Sequence, residues 1–387
     1  MNKKFISFIL ILVSLCLMIG TKASTVFADN QNFDAKAYIL IDYNSGEILL
    51  KNNETEHLEI ASMVKLMTSL ITLEKIEAGE LTLDQKLLVS EHAASQEGSQ
   101  AFLDANKEYT VEDLLKSVII ASANDSSVVL AEAIGGSEEG FVNLMNVKAK
   151  ELGLNNTLYA NATGLPSEKS QYSCAEDVAK LLSQEINHKL YFKYSNIWID
   201  EIIHESGRKT ELVNTNVLIR KYKGVDIGKT GFTDDAGYCL SASCKKNDMR
   251  LVSVVIGTKS TKDRFDITTN LLNYGFANYE NKKILLKTDV LNPVTIKGAK
   301  EKTVAVEYQK DFYFLTKKGD KSDYKTKIEI FEGTKAPIKK GDVLGKTYIV
   351  KDGVVVGEVN IVSKEDINKA TYKDSLNKVI ENFSIKN

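Results

Sequence analysis

Ser62 and Lys65 stand three residues apart at the start of an apolar-periodic run, Met63 to Ile76. Residues i and i+3 of a helix share a face about one turn apart, so this spacing lets the lysine reach the serine oxygen. A serine hydroxyl is inert until a neighbour accepts its proton. An ammonium cannot accept one, so Lys65 must be substantially neutral, which burial and a second nearby cation promote. The start of a helix also favours negative charge developing at Ser62. Ser-x-x-Lys recurs at Ser206, Ser243, Ser322 and Ser375, so the weight rests on the helix start and on two further motifs downstream.

The first of these, Ser122-Ala123-Asn124, lies between two helical stretches. In a catalytic reading the Ser122 hydroxyl relays a proton to a leaving amine, while Asn124 donates to a substrate carbonyl and holds Lys65. The second, Lys229-Thr230-Gly231, occurs once and follows the strand-like Val225-Asp226-Ile227-Gly228. An edge strand ending there pairs with an extended peptide through main-chain hydrogen bonds. Lys229 and Thr230 then meet a terminal carboxylate, Gly231 permits close backbone approach, and Lys229 is the second cation near Lys65. The N–H groups of Ser62 and Phe232 form the expected oxyanion hole, where one donor is typically worth about 10²–10³ in rate. Taken singly, each motif also reads as ordinary cap and turn residues; the ordered trio carries the reading. It calls for no metal and no cofactor. His57, His92, His188 and His204 have no ligand spacing between them, which leaves a zinc peptidase or Ser-His hydrolase little to build on.

These groups need a frame. Ala37 to Asp42 and Glu47 to Lys51 are apolar runs joined by Tyr43-Asn44-Ser45-Gly46, a hairpin. From Ser62 to about Leu190 the pattern is helical, with stripes such as Val111, Leu114, Leu115, Val118 and Ile119. Strands return at Gly224 to Ile227, Tyr238 to Ser243 and Leu251 to Gly257, followed by a helix from Lys262 to Phe276. Two chain-distant strand sets therefore share one sheet beside a helical block. After Tyr279 the runs Thr303 to Tyr308, Phe312 to Thr316, Lys327 to Phe331, Thr347 to Val350 and Val354 to Ile361 are short and mostly alternating, a small β domain. The expected fold class is α+β, with domains at 29–279 and 280–363.

Lys3 and Lys4, the apolar run Phe5 to Ile19 and Val26-Phe27-Ala28 read as a secretory signal peptide over residues 1–28. No later stretch reaches the roughly 18 apolar residues that span a bilayer. The expected protein is exported, to the outer face of the cytoplasmic membrane or beyond. Without the leader it carries 47 basic and 52 acidic side chains, interspersed, which argues against nucleic acid as a partner. Cys239 and Cys244 are five apart in a strand, face opposite sides and should not pair. From Lys364 a tail (364–387) suggests a helix with Leu376, Val379, Ile380 and Phe383 on one side. Peripheral membrane contact and docking on the β domain both suit it.

With these motifs assembled, the sequence resembles the D-alanyl-D-alanine carboxypeptidases, low-molecular-mass penicillin-binding proteins, over about residues 33 to 380. The likeness includes Ala61 through Thr68, Ala162-Thr163-Gly164-Leu165-Pro166, Gly231 through Tyr238, and Leu272-Asn273-Tyr274-Gly275-Phe276. It implies a β-lactamase/penicillin-binding-protein-like catalytic domain and an acyl-enzyme at Ser62 with Lys65 as base. It also implies Ser122 and Asn124 in the second motif, and Lys229 and Thr230 on the substrate. Arg264 matches an arginine near the terminal-carboxylate site. The implied substrate is a peptidoglycan stem peptide ending in D-Ala-D-Ala, with β-lactams as inhibitors.

Two departures stand out. The family usually has His-Tyr-Ser or His-Ser where this chain has Gln171-Tyr172-Ser173, which bears on loop packing. It usually has Asp-Gly-Ile-Lys where this chain has Asp226-Ile227-Gly228-Lys229, expected to loosen the strand under Lys229 because glycine has no side chain to pack. Rival readings are a D,D-endopeptidase using the same machinery and a wall-binding or β-lactam-sensing protein without turnover. A class A β-lactamase is a third, but its Glu-x-x-Leu-Asn has only Glu139-Gly140-Phe141-Val142-Asn143 as counterpart, too soon after Asn124.

Overall fold

The computed structural model describes residues 33–374. The leader at 1–28 and the stripe Leu376, Val379, Ile380 and Phe383 lie outside the described residues. The chain divides into two compact units between Gly275 and Phe276.

The first unit is built on a five-stranded antiparallel sheet. Strands β1 (Ala37–Asp42) and β2 (Ile48–Asn52) form the expected hairpin. Strands β7 (Val225–Thr233), β8 (Gly237–Lys246) and β9 (Met249–Thr258) complete the order β2-β1-β9-β8-β7. Alternation along β1 and β9 separates two apolar faces. Ile39, Val252 and Val254 join one buried core with Met63, Leu66, Leu70, Val178 and Leu182. Those last five belong to a 3₁₀ turn (Ala61–Val64), helix α1 (Lys65–Glu77) and helix α5 (Ala175–Glu185). Leu40 and Leu251 point the other way, to where helix α6 (Thr261–Asn278) rests; a Cβ on its Gly275 would fall 2.5 Å from Leu251 Cδ1. The sheet is thus covered on both faces.

Nine consecutive residues of α1, Lys65 to Leu73, are buried. Such a helix is a core element rather than an amphipathic one, and each Leu it buries contributes roughly 1.5–3 kcal/mol. Helices α2 (Val111–Ile120), α3 (Asn124–Gly135) and α4 (Glu138–Glu151) make up the rest of the block. Their ends follow local chemistry: Thr110 and Ser137 accept from the third residue onward as N-caps, and Gly136 takes the left-handed conformation that ends α3.

The block is less uniformly helical than expected. Strands β3 (Lys86–Leu88) and β4 (Glu108–Thr110) pair within it, and β5 (Ile199–Ile203) pairs with β6 (Lys209–Val213) after it. Such short strands leave little periodicity to read, and only Ile202 and Leu212 of the second pair are inserted into a core with α2 and α3.

The second unit is all β. Val306–Tyr308, Val354–Ser363, Val343–Lys351 and Tyr324–Ile330 form a sheet in that order, and Tyr279–Leu285 pairs with Phe312–Lys317. Leu344, Ile349, Val359 and Ile361 lie in its core. A helix from Lys364 was expected. Instead Ile367 bridges Ile338 and Lys369 bridges Ala299, because the chain there is held by neighbouring backbone; helical residues start only at Tyr372.

Candidate active site

Ser62 sits in the 3₁₀ turn, three residues before α1 begins, and Ala61 ahead of it has φ +45°. The turn is wedged between two glycines. A Cβ on Gly231 would lie 2.7 Å from the Ile60 carbonyl oxygen and 3.2 Å from Ser62 N, and one on Gly164 would collide with the Ala61 carbonyl. Strand β7 therefore passes directly against the backbone of Ser62, a closeness only glycine allows.

Lys65 is fully buried. Its Nζ donates to Ser62 Oγ at 3.0 Å and to the Thr163 carbonyl at 2.6 Å. Thr68 fastens the same loop by donating to Ala162 O at 2.8 Å. Burial pushes the Lys65 pKa well below its usual value; the Lys229 charge pushes the same way, and Asp125 opposes them. A buried ammonium is strongly disfavoured unless paired, so the neutral amine is promoted where it touches a serine hydroxyl.

Ser122 lies in the link between α2 and α3 with φ +63°. For a side chain other than glycine this conformation costs about 1–3 kcal/mol and persists only where its surroundings hold it. Ala123 N bonds to Ser117 O, and Asn124 N to Ser99 O at 2.7 Å. Asp125 accepts from Ala101 N and Leu103 N, strapping that loop to the start of α3. Asn124 was expected to donate to substrate and to hold Lys65. Its Nδ2 is instead given to Glu97 O at 2.5 Å, and its Oδ1 is buried without a partner. Oδ1 is thus an open acceptor, and Nδ2 carries a second N–H besides the one on Glu97 O.

Lys229-Thr230-Gly231 lies inside β7 rather than at its end, and β7 is the last strand of its sheet. Lys229 Nζ donates to Ser122 Oγ at 2.7 Å and to Thr230 O at 3.1 Å. It is 2% exposed; burial, then the Arg264 charge, lower its pKa to about 7. Arg264, from the first turns of α6, donates Nη1 to Gly231 O at 3.0 Å, and its Nε is buried without a partner. Its guanidinium also lies over the Tyr238 and Phe265 rings. Phe232 is 48% exposed and stacks on Tyr238 with ring centroids 4.2 Å apart.

Both departures have local solutions. Gln171 Oε1 accepts from Ala160 N and Asn161 N, closing the loop that carries Thr163. The expected loosening at Gly228 is corrected: a Cβ there would sit 2.4 Å from Ser241 O and 2.8 Å from Asn216 Nδ2, so the missing side chain is replaced by close backbone packing and the Asn216 amide.

Four groups at this site were not singled out from sequence: the Thr163 carbonyl, Asp125, Thr215 and Asn216. The Thr230 hydroxyl donates to Thr215 Oγ1 at 2.7 Å. Thr163 lies in a segment that carries the family likeness, but a carbonyl exists at every residue; Thr215 had no signal beyond a polar link.

The family model for D-alanyl-D-alanine carboxypeptidases matches residues 23–260, and the model for the C-terminal domain of penicillin-binding protein 5 matches residues 279–369. The chain is 40% identical to D-alanyl-D-alanine carboxypeptidase DacF of Bacillus subtilis over 364 residues, 92% of this chain and 93% of that one. Among solved structures it is similar to penicillin binding protein 5 from Haemophilus influenzae, with TM-score 0.73 and 31% identity over 88% of this chain and all of that one. It is also similar to the cefotaxime-bound form of Penicillin-Binding Protein D2 from Listeria monocytogenes, with TM-score 0.55 and 30% identity over 64% of this chain and all of that one. By these matches along both units, the chain belongs to the D-alanyl-D-alanine carboxypeptidase family of serine peptidases.

Proposed function

We propose that the protein is an exported D,D-carboxypeptidase that removes the terminal D-alanine of peptidoglycan stem peptides through an ester at Ser62, and that β-lactams acylate the same serine. The observation that carries this reading is the buried Lys65 amine, 3.0 Å from Ser62 Oγ and repelled by Lys229.

The peptide lies along the free edge of β7. Ser62 Oγ attacks the carbonyl carbon of the penultimate D-alanine while Lys65 takes its proton. The N–H groups of Ser62 and Phe232 hold the oxyanion. The Ser122 hydroxyl, bonded to Lys229 Nζ, gives its proton to the departing amine and is reprotonated from the Lys65 ammonium, so D-alanine leaves and Lys65 is again a neutral amine. Water then hydrolyses the ester, with Lys65 accepting its proton and returning it to Ser62 Oγ. Lys229 and Thr230 hold the terminal carboxylate, assisted by Arg264 behind Gly231. That carboxylate is the anion the site lacks: beside it Lys229 stays charged, which keeps Lys65 neutral. Export rests on the leader at 1–28; among the described residues no helix is long and apolar enough to cross a membrane.

The test is D-alanine release from a diacyl-L-Lys-D-Ala-D-Ala peptide by the leaderless chain and by Ser62→Ala. Loss of release by more than about 10⁴-fold in the variant is the expected result. A folded wild type that binds labelled penicillin at Ser62 yet releases no D-alanine would instead indicate a sensor or an enzyme for cross-linked substrate.

A further inference from the structure

Asn214-Thr215-Asn216, on the link from β6 toward β7, touches the site without belonging to any of its three motifs. Both asparagines are buried. Asn214 Nδ2 donates to Ser195 O and Ile197 O at 2.9 Å, its Oδ1 accepts from Asn216 N at 2.9 Å, and Asn216 Oδ1 accepts from Leu218 N at 3.2 Å. Thr215 N donates to Ile120 O, the last residue of α2 and two before Ser122. Held on both sides and tied to the Ser122 link, Thr215 is half-buried and presents its Oγ1 to the Thr230 hydroxyl at 2.7 Å.

We infer that Thr215 is a positioning residue that sets this enzyme's preference for a free terminal carboxylate, acting through Thr230. The inference rests on the carboxypeptidase reading above. A hydroxyl has one proton to give and two lone pairs to receive. The Thr230 proton is directed at Thr215. When a carboxylate arrives, Thr230 turns its proton to the anion and Thr215 turns its own proton to Thr230 Oγ1. Neither hydroxyl is left unpaired, in a place where an unpaired one is costly. The bond received by Thr230 also polarises its O–H toward the anion. An amide-capped terminus offers no negative charge to gain from this.

The experiment compares Thr215→Val, which keeps the shape and removes the hydroxyl, with Thr215→Ser, which keeps it. KM and kcat are measured for diacyl-L-Lys-D-Ala-D-Ala as free acid and as C-terminal amide. In Thr215→Val, KM for the free acid rises about fivefold, the share of one hydrogen bond, with kcat little changed, the amide unaffected and the serine variant near wild type. Equal losses on acid and amide, or none on either, would overturn the inference. If the wild type releases no D-alanine, the carboxypeptidase reading fails separately, and acylation by benzylpenicillin and its methyl ester decides. Slowing confined to the free acid in Thr215→Val upholds the role of Thr215; equal rates overturn it.

Discussion

Lys229 in the first unit and Lys351 in the second are the same side chain in opposite company. Lys351 donates to Asp320 at 2.9 Å, which raises its pKa. Asp320 in turn accepts from Ser322, Thr316 and Lys351 and is held far below the usual carboxylate range. Lys229 is buried among a serine hydroxyl, a carbonyl and the Arg264 charge. In this pair of the second unit the charge meets its counter-charge, and the result is structure. At the site the counter-charge is withheld, and the result is a group close to neutrality with a demand for an anion. Perturbation of this kind, by burial together with a like charge, is what a functional site requires and a surface pair does not.

The sharpest way to break the comparison is to disturb the frame that brings the lysines to Ser62. Gly231→Ala drives a methyl toward Ile60 O and Ser62 N. D-alanine release should fall about 10²–10³-fold, as for loss of one oxyanion donor, while the circular dichroism spectrum stays that of the wild type.

Removing the second cation comes next. Lys229→Gln loses a charge-assisted bond to the carboxylate, lowering kcat/KM about 10–100-fold. The sign of its pH effect follows from repulsion. Without the neighbouring charge the Lys65 amine becomes more basic, so the acid limb of kcat/KM moves to higher pH. The alkaline limb, which in wild type follows loss of the Lys229 proton near pH 7, disappears. Stability carries the same signature. Between about 7 and 10.5 the folded Lys229 binds fewer protons than the unfolded one, so resistance to urea rises with pH across that window in wild type, and Lys229→Gln loses that contribution. Lys351→Met is the control: it removes a lysine that has its counter-ion, and the activity–pH profile keeps its shape.

A smaller effect sharpens the packing argument. Gly228→Ala forces a methyl into Ser241 O and the Asn216 amide, which overpacks the strand under Lys229 and should cost about 1–3 kcal/mol in urea denaturation.

Much of the site was legible because its chemistry demands particular atoms at short spacing. Ser62 and Lys65 are one helical turn apart, and the helix start could be read from the periodic run behind them. Lys229 could be named as the second cation near Lys65 because a neutral amine there requires one, and Ser122 as the relay because a departing amine needs a proton. The first-unit sheet followed from apolar runs at both ends of a helical block. What resisted reading were contacts made by groups that leave no mark on composition. The Thr163 carbonyl that receives Lys65 is one of hundreds. The β3–β4 and β5–β6 pairs are too short for periodicity to reveal. Asn124 was expected to hold Lys65, whereas its amide is engaged by the Glu97 carbonyl, which comes from a loop distant in sequence.

By itself the sequence determined the reagents: a hydroxyl, two amines, a relay and a glycine where backbone must pass close. These follow from functional groups and local geometry, which do not depend on the rest of the chain. Only the tertiary structure decided their state. Whether Lys65 is a base or an ammonium depends on how completely it is shut from water and on the charge of Lys229, 164 positions further along the chain. Whether Gly228 loosens a strand or completes it depends on Asn216 lying beneath. Desolvation and like-charge repulsion act through space, so the properties that make these residues a site appear only once the chain has folded.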